Sequence, residues 1–272
     1  MLVGSVEGFA EKMNQKASEL NLVNTHFETP HGLDSDAHYT TAYELALLSN
    51  YALKNKTFAQ IVATKDYTIT INDYSKQLSN TNELLGNLDG VYGIKTGFTN
   101  GANRCLVTAC KRNNMDIICI VLGADTKKFR TQDSVKLINY IFDNFKPVDI
   151  GKLVTDNFEC WKKDNSNRIT VNKGISKDLG LTINGISYGV IPIRKDLIDL
   201  INIEINCPLY FEAPLGINSK LGSINVSIKD DTIFECSIFN SFEVRRKHWN
   251  NYFLEFLRNY SSMLNKNIRA YQ

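Results

Sequence analysis

A Lys-Thr-Gly triplet at Lys95, Thr96 and Gly97, in the stretch VYGIKTGFT, has the clearest chemical potential in this sequence. The lysine raises the local positive potential, and the threonine hydroxyl can donate to an ionised carboxylate, which makes a strong hydrogen bond. The glycine has no Cβ, so an extended peptide can lie against the strand edge. The next backbone N–H, that of Phe98, is then placed to donate to a developing oxyanion. The triplet therefore predicts a site that holds a peptide carboxylate beside a reacting carbonyl.

The triplet alone is a weak signal, because three residues recur by chance in many chains. An ordinary strand with a surface lysine explains it at least as well when the rest of the sequence is ignored. The elements around the triplet therefore decide its interpretation.

Residues 1–146 are predicted to form an α+β unit around the triplet. Apolar residues from Val6 to Leu20 follow helical spacing, and Thr41 to Glu44 form a capping box that opens a second helix. Residues 65–80 alternate as a strand or extended arm. Three strands follow from Val91 to about residue 125, with a tight Asn113-Asn114 turn between the last two. A helix with one apolar face then runs to Phe145.

The remaining chain is predicted to form a separate all-β domain at 147–240 and an amphipathic tail at 241–272. Short alternating strands are expected near Ile169, Ile203, Val226 and Cys236. The tail carries an apolar stripe preceded by basic residues; its members are Trp249, Tyr252, Phe253, Phe256, Leu257, Tyr260, Met263 and Leu264. This pattern favours a helix lying at a membrane surface, and docking on the β-domain is the alternative.

Composition and charge exclude several classes of protein. A formal net charge of +2 over 272 residues argues against a nucleic-acid binder. The six cysteines form no Cys-x-x-Cys pair and no histidine stands at ligand spacing, so we expect no metal and no cofactor. We expect buried thiols rather than disulfides. The first residues lack the pattern of a signal peptide, and no apolar run approaches the roughly 18 residues of a membrane span.

The chain resembles the D-alanyl-D-alanine carboxypeptidases, the low-molecular-mass penicillin-binding proteins of the serine peptidase type. The resemblance rests on GFAEKMNQKASELNLVNTHFETPHGLD, HYTTAYELALL, GIKTGFT and CLVTACKRNNMDIICIVLGAD. It is strong from residue 5 to about 145 and less specific beyond. It implies a β-lactamase/transpeptidase-like α+β fold and removal of the terminal D-alanine of the peptidoglycan pentapeptide through an acyl-enzyme. It also implies an extracytoplasmic location at the cell envelope and β-lactams as inhibitors of the complete enzyme.

Carried over by position, the resemblance assigns Lys95, Thr96 and Gly97 to the third active-site motif. It places Phe98 at the oxyanion donor and Thr99 beside the substrate. Arg130 matches an arginine that can assist the anionic site, although an ion pair at the surface explains it at least as well. Tyr92 stands where the family often has an acidic residue, and Ala102-Asn103 where it often has Ala-Gly, and both affect the pocket rim.

The nucleophile of this family is absent from the sequence. Acyl transfer needs a nucleophile and a group that takes its proton, which a Ser-x-x-Lys motif supplies here. No serine in the chain has lysine three positions later, and Ser223-Ile224-Asn225 matches Ser-x-Asn only by chance. We therefore expect the downstream portion of a longer enzyme, inactive alone. The alternatives are a non-catalytic peptide-binding module and, less favoured because of the β-domain and tail, a β-lactamase relative.

Two histidines invite a catalytic interpretation that we do not favour. His31 and Asp34 could be drawn as an acid–base pair, but their turn-rich loop predicts hydrogen bonds to nearby backbone instead. His248, next to Trp249, is expected at an interface rather than in catalysis.

Overall fold

The computed structural model describes residues 3–176, 178–184 and 189–270, with side chains of the last helix described as far as residue 261. It divides into two compact units, Met1–Pro147 and Val148–Gln272. The helices of the first unit are α1 (Val6–Glu19), α2 (Ala42–Leu53), α3 (Lys56–Ala63) and α4 (Lys127–Asn144). Its strands are β1 (Asp66–Ile71), β2 (Tyr74–Ser79), β3 (Val91–Thr99), β4 (Asn103–Arg112) and β5 (Met115–Ala124), and β6 (Phe145–Asp149) includes the unit boundary.

The first unit is built on an antiparallel sheet in the order β3-β4-β5. Asn113 and Asn114 both have positive φ (49° and 62°), which gives the tight turn that the sequence predicted between β4 and β5. Leu106 of β4 packs with Ile138 of α4 in a buried apolar cluster, so one face of the sheet is covered by α4. This cluster fixes the sheet that carries the triplet.

The second helix begins at its predicted cap, but its glutamate has another role. The hydroxyl of Thr41 accepts from the backbone N–H of Glu44 at 3.1 Å, as expected of a helix cap. The Glu44 carboxylate accepts from the N–H of Asn24 at 2.8 Å and from the Thr25 hydroxyl. Glu44 is buried, so these bonds tie the loop after α1 to the start of α2.

The arm predicted at residues 65–80 is a two-stranded hairpin. Strands β1 and β2 pair from Asp66↔Ser79 to Ile71↔Tyr74, and all their residues are exposed. Asn80 follows β2 and donates to the carbonyls of Val62 and Thr64, which anchors the base of the hairpin on the end of α3.

The second unit combines a helix with short strands, so the all-β prediction for this region was wrong. Its elements are α5 (Ile150–Asn165), β7 (Thr170–Asn172), β8 (Leu181–Ile183), β9 (Val190–Arg194), a 3-10 helix (Lys195–Leu200), β10 (Ile201–Asn206), β11 (Tyr210–Glu212), β12 (Lys220–Ile228), β13 (Asp231–Asn240) and α6 (Trp249–Ala270). Strands β10, β12, β13 and β8 form an antiparallel sheet in that order. Ile150, Val154 and Phe158 of α5 pack on this sheet at helical spacing, a periodicity that the sequence carried and that the strand pattern obscured.

Helix α6 leaves most of its described apolar side chains exposed. Trp249 is 79% exposed and Phe256 is 62% exposed. The side chains of Met263 and Leu264, which the sequence analysis placed on the same stripe, lie outside the described residues. Among the described residues, no helix is both long enough and apolar enough to cross a bilayer.

The cysteines are unbridged, as expected, but not uniformly buried. Cys110, Cys119 and Cys236 are buried, and burial raises the pKa of the Cys119 thiol to about 11. Cys105 and Cys207 are half-buried, and Cys160 is exposed on α5. The prediction of buried thiols was therefore wrong for Cys160, because its position lies away from the Ile150, Val154 and Phe158 face.

Candidate functional site

Strand β3 changes from buried to exposed at the start of the triplet. Val91 and Ile94 are buried, whereas Lys95, Gly97 and Phe98 are exposed and Thr96 is half-buried. Gly93 lies under α3, because a Cβ built there would be 3.0 Å from a methyl carbon of Val62. The first half of the strand is thus held by packing, and the second half extends beyond the covering helix.

Lys95 and Thr96 present polar groups at this open end. The Lys95 ammonium donates to the carbonyl of Thr96 at 2.6 Å and remains exposed. The Thr96 hydroxyl lies 2.7 Å from the hydroxyl of Thr81, in the segment that follows the hairpin. The next residue of that segment, Asn82, donates to the carbonyl of Gly93 at 3.0 Å, so the loop is bonded to β3 at two points.

The edge of β3 is open at Gly97. Strand β3 is one of the two edge strands of its sheet within the described part of the chain. The nearest heavy atom to a Cβ at Gly97 is the Cβ of Cys105, at 3.6 Å, which is an ordinary contact. The fold therefore leaves room at Gly97, and an extended chain can approach the strand there.

A cavity of about 480 Å³ adjoins this end of the strand. Residues of the loop 32–38 and of the β3–β4 turn line it, with Gly97, Phe98, Thr99 and Cys105 among them. Asp34 joins the two walls by accepting from the backbone N–H of Gly101 at 3.0 Å. A hydrogen bond from Thr99, and then that from Gly101, lower the pKa of Asp34. The nearby His31 accepts from the N–H of Leu33, so the predicted bond to local backbone is confirmed for His31. For Asp34 the prediction was wrong in its partner, because the backbone that it bonds belongs to the distant β3–β4 turn.

Arg130 lies at the start of α4 in a buried ion pair. It is 3% exposed, and its Nη2 is 3.2 Å from Oε2 of Glu83. Lys127 and Thr131 also contact the Glu83 carboxylate, at 2.5 Å and 2.8 Å. The hydrogen bond from Lys127 is the largest cause of the lowered pKa of Glu83. An ion pair is thus the observed contact of Arg130, but the predicted position at the surface was wrong, because the guanidinium is buried. Its role towards a substrate stays a prediction.

Arg104 contacts a residue of the cavity lining, Phe98, and was not singled out from the sequence. It stands opposite Phe98 in the β3–β4 register, and its guanidinium carbon is 3.5 Å from the centroid of the Phe98 ring. The short turn between Thr99 and Asn103 forces this pairing, so the loop length was a signal that could have identified it. Glu83 and Thr81 were missed as well, because their contacts join segments that are distant in sequence.

No group of three or more His, Cys, Asp or Glu side chains is arranged to hold a metal ion in the part of the chain that the structure describes. The polar groups at the open end of β3 are the Lys95 ammonium, the Thr96 and Thr81 hydroxyls and backbone N–H groups, with the Arg104 guanidinium stacked on Phe98.

A family model described as D-alanyl-D-alanine carboxypeptidase matches residues 1–126. The D-alanyl-D-alanine carboxypeptidase DacF of Bacillus subtilis is 30% identical over 236 residues, which are 86% of this chain and 58% of the relative. The D-alanyl-D-alanine carboxypeptidase DacA of Escherichia coli is 33% identical over 233 residues, 85% of this chain and 54% of the relative. The chain thus spans little more than half the length of these curated relatives.

Solved structures give the same result for the fold. Penicillin binding protein 5 from Haemophilus influenzae matches with a TM-score of 0.65 and 26% identity, covering 89% of this chain and 67% of that one. Penicillin binding protein 6B from Escherichia coli matches with a TM-score of 0.62 and 25% identity, covering 86% and 61%. The prediction of a transpeptidase-like α+β fold is therefore confirmed.

Proposed function

This chain belongs to the D-alanyl-D-alanine carboxypeptidase family, and on that basis we propose that it binds the D-Ala-D-Ala end of the peptidoglycan pentapeptide. The reaction proposed for the complete enzyme is removal of the terminal D-alanine. A serine oxygen attacks the carbonyl of the penultimate residue, the terminal D-alanine leaves as an amine after gaining a proton, and water then hydrolyses the acyl-enzyme.

The proposal gives each residue of the triplet a part in this reaction. Lys95 supplies positive potential to the terminal carboxylate, and Thr96 donates a hydrogen bond to it. Gly97 lets the peptide lie against β3, and the Phe98 N–H stabilises the oxyanion while Thr99 contacts the peptide. Arg130 assists from the start of α4. No cofactor or metal has a role.

One observation carries the proposal. The residues of β3 that the resemblance assigns to substrate are those at which the strand becomes exposed, and three of them line a 480 Å³ cavity. A volume of this size suits a small ligand or the end of a peptide.

A second candidate function is favoured by one sequence observation. No Ser-x-x-Lys occurs in the 272 residues, so the proposal assigns peptide binding to this chain and leaves the nucleophile unassigned. A binding module without chemistry would keep Lys95, Thr96 and Gly97 and bind the same peptide end.

Covalent labelling and peptide binding by the purified chain test the two functions. Fluorescent penicillin labels a protein that forms an acyl-enzyme, and diacetyl-L-Lys-D-Ala-D-Ala, with its L-Ala-L-Ala isomer as control, reports stereospecific binding. A labelled band that survives denaturation eliminates the binding module. Peptide binding without a band is expected of both functions for this chain, because no Ser-x-x-Lys occurs in it. Labelling of a longer gene product that carries the motif supports the enzyme, and no label on such a product supports the module. Failure to bind the D,D-peptide more tightly than its isomer contradicts both.

The location of the protein is part of the same proposal. An enzyme of peptidoglycan acts outside the cytoplasm, and exposed aromatic side chains of α6, among them Trp249, Phe253 and Phe256, suit contact with a membrane surface. Flotation with anionic vesicles tests this contact. Replacing these three side chains by serine should abolish flotation, while replacing the exposed Ile61, Tyr67 and Tyr74 elsewhere should not. Equal loss in both sets would contradict the assignment to α6.

A further inference from the structure

Two arginines contact strand β3 or the segment before it, and their environments differ: Arg104 lies on Phe98 of β3, and Arg130 contacts Glu83. The Arg130 guanidinium is buried and holds the Glu83 carboxylate. Arg104 is half-buried, and no carboxylate forms an ion pair with it within the described residues. The partner of its guanidinium in the described part of the chain is the ring of Phe98. Arg130 also keeps one donor, its buried Nε, without a partner among the described residues. Of the two arginines, Arg104 is the one whose guanidinium holds no carboxylate and is not fully buried.

We propose that Arg104 binds the C-terminal carboxylate of the peptide, an assignment that rests on the proposed function. The established family resemblance points only to Arg130 for such a role. Arg104 would instead act as the residue that makes the site selective for a free carboxylate over an uncharged peptide end.

The stack on Phe98 orients the Arg104 guanidinium. A planar guanidinium lying on an aromatic face keeps its N–H groups at the edge of the stack, available to an acceptor. The distance of 3.5 Å between the guanidinium carbon and the ring centroid is that of direct stacking. The Arg104 side chain then loses less conformational entropy when a carboxylate binds, because the Phe98 ring already holds its guanidinium in place.

The register of the sheet places Arg104 on the same side as Thr96. Phe98 pairs with Arg104 and Thr96 pairs with Leu106, and side chains of directly paired residues share a face. Neighbouring side chains on one face are separated by two residues, or roughly 7 Å along the strand. A carboxylate between them can accept from the Thr96 hydroxyl on one side and from the Arg104 fork on the other, next to Gly97.

The test measures the affinity of the full chain for diacetyl-L-Lys-D-Ala-D-Ala and for its C-terminal amide, which lacks the negative charge. The wild-type chain should bind the acid more tightly than the amide. Arg104→Gln should weaken binding of the acid roughly tenfold or more, the size expected for a lost charge-assisted hydrogen bond, and leave the amide unaffected. The affinity of Arg104→Lys for the acid should lie between those of the wild type and Arg104→Gln, because an ammonium keeps the charge and loses the planar fork.

Lys111→Gln is the matched control, since it removes one positive charge from an exposed position of the same strand. Its preference for the acid should equal that of the wild type. If Arg104→Gln also keeps the full preference, the assignment of Arg104 is wrong while the proposed function stands. If the wild-type chain shows no preference for the acid, the carboxylate site itself is wrong, and Arg104 has no role there.

Discussion

Strand β3 of the first unit and strand β12 of the second each contain a glycine, and the two are used differently. A Cβ at Gly222 of β12 would lie 2.3 Å from the carbonyl oxygen of Asn206 and 3.0 Å from the Cα of Cys207. A Cβ at Gly97 of β3 would meet only the Cβ of Cys105, at 3.6 Å. Gly222 is required because the backbone of Asn206 and Cys207 leaves no room for a side chain there, whereas the space beside Gly97 is left unfilled. Unfilled space beside polar groups is what a binding site needs.

The largest expected effect comes from adding a methyl group at the closely packed Gly222 of the second unit. Gly222→Ala forces a methyl group against backbone atoms that cannot move without disturbing β10, so it should lower the free energy of unfolding by about 3 kcal/mol. Urea denaturation followed by circular dichroism measures the change. A loss below about 1 kcal/mol would mean that the sheet accommodates the methyl group, and the contrast with Gly97 would fail.

The two units also differ in buried charge, because the buried charged residues among those described, Glu44 and Arg130, both belong to the first unit. Glu83→Gln removes the carboxylate that neutralises the buried Arg130 of the first unit, and a poorly paired guanidinium should cost about 1–3 kcal/mol of unfolding free energy. Because the folded pKa of Glu83 is lowered, its contribution is present above the ordinary glutamate value and is lost as the pH falls through the folded pKa. Denaturation of the wild type and the variant from pH 7 down to pH 3 measures both effects.

Asp133→Asn is the control for Glu83→Gln. Asp133 lies on α4, the helix that carries Arg130, and forms an exposed ion pair with Lys136. Its effect should stay within about 0.5 kcal/mol. Equal costs for the two variants would show that Arg130 does not depend on Glu83.

Filling the space at Gly97 sharpens the contrast with Gly222. Gly97→Ala should change the unfolding free energy by less than about 0.5 kcal/mol, since no atom of the fold stands in the way. It should weaken binding of diacetyl-L-Lys-D-Ala-D-Ala about tenfold, because the methyl group occupies the edge on which the peptide lies. Calorimetric titration measures the affinity, and unchanged binding would show that the peptide lies elsewhere.

The smallest effect concerns the wall of the cavity. The Asp34 carboxylate accepts from Gly101, and its pKa is lowered chiefly by the bond from Thr99, so the contact is present above the ordinary aspartate value and is lost as the pH falls through the lowered pKa. The Gly101 amide resonance should therefore titrate with a midpoint below 3.8 in the wild type. The titration should vanish in Asp34→Asn. A midpoint at or above the ordinary value would contradict the bond.

Much of the first unit could be predicted from sequence because its signals are local. Helix α1 follows apolar spacing, α2 begins at its Thr41 cap, and the Asn113-Asn114 turn sets the β4–β5 hairpin. The prediction failed at α5, where Ile150, Val154 and Phe158 were passed over in a region dominated by alternating strands.

The site was only partly predictable, for a different reason. Lys95, Thr96 and Gly97 form a contiguous motif, and the strand around them could be read from its residues. The contact between Glu83 and Arg130 spans 47 positions, and that between Asp34 and Gly101 spans 67. Such pairs depend on how the sheet, loop and helix pack, and no local pattern encodes them.

The contact between the Thr81 and Thr96 hydroxyls determines how protons must be arranged when an acceptor arrives. Each hydroxyl has one hydrogen, and either the Thr81 or the Thr96 hydroxyl can donate it to the other. If Thr96 gives its hydrogen to an incoming anion, only Thr81 can complete the bond between them, by turning its own hydrogen towards Thr96. Occupancy of the site would thereby set the orientation of a group on the neighbouring loop without moving any heavy atom.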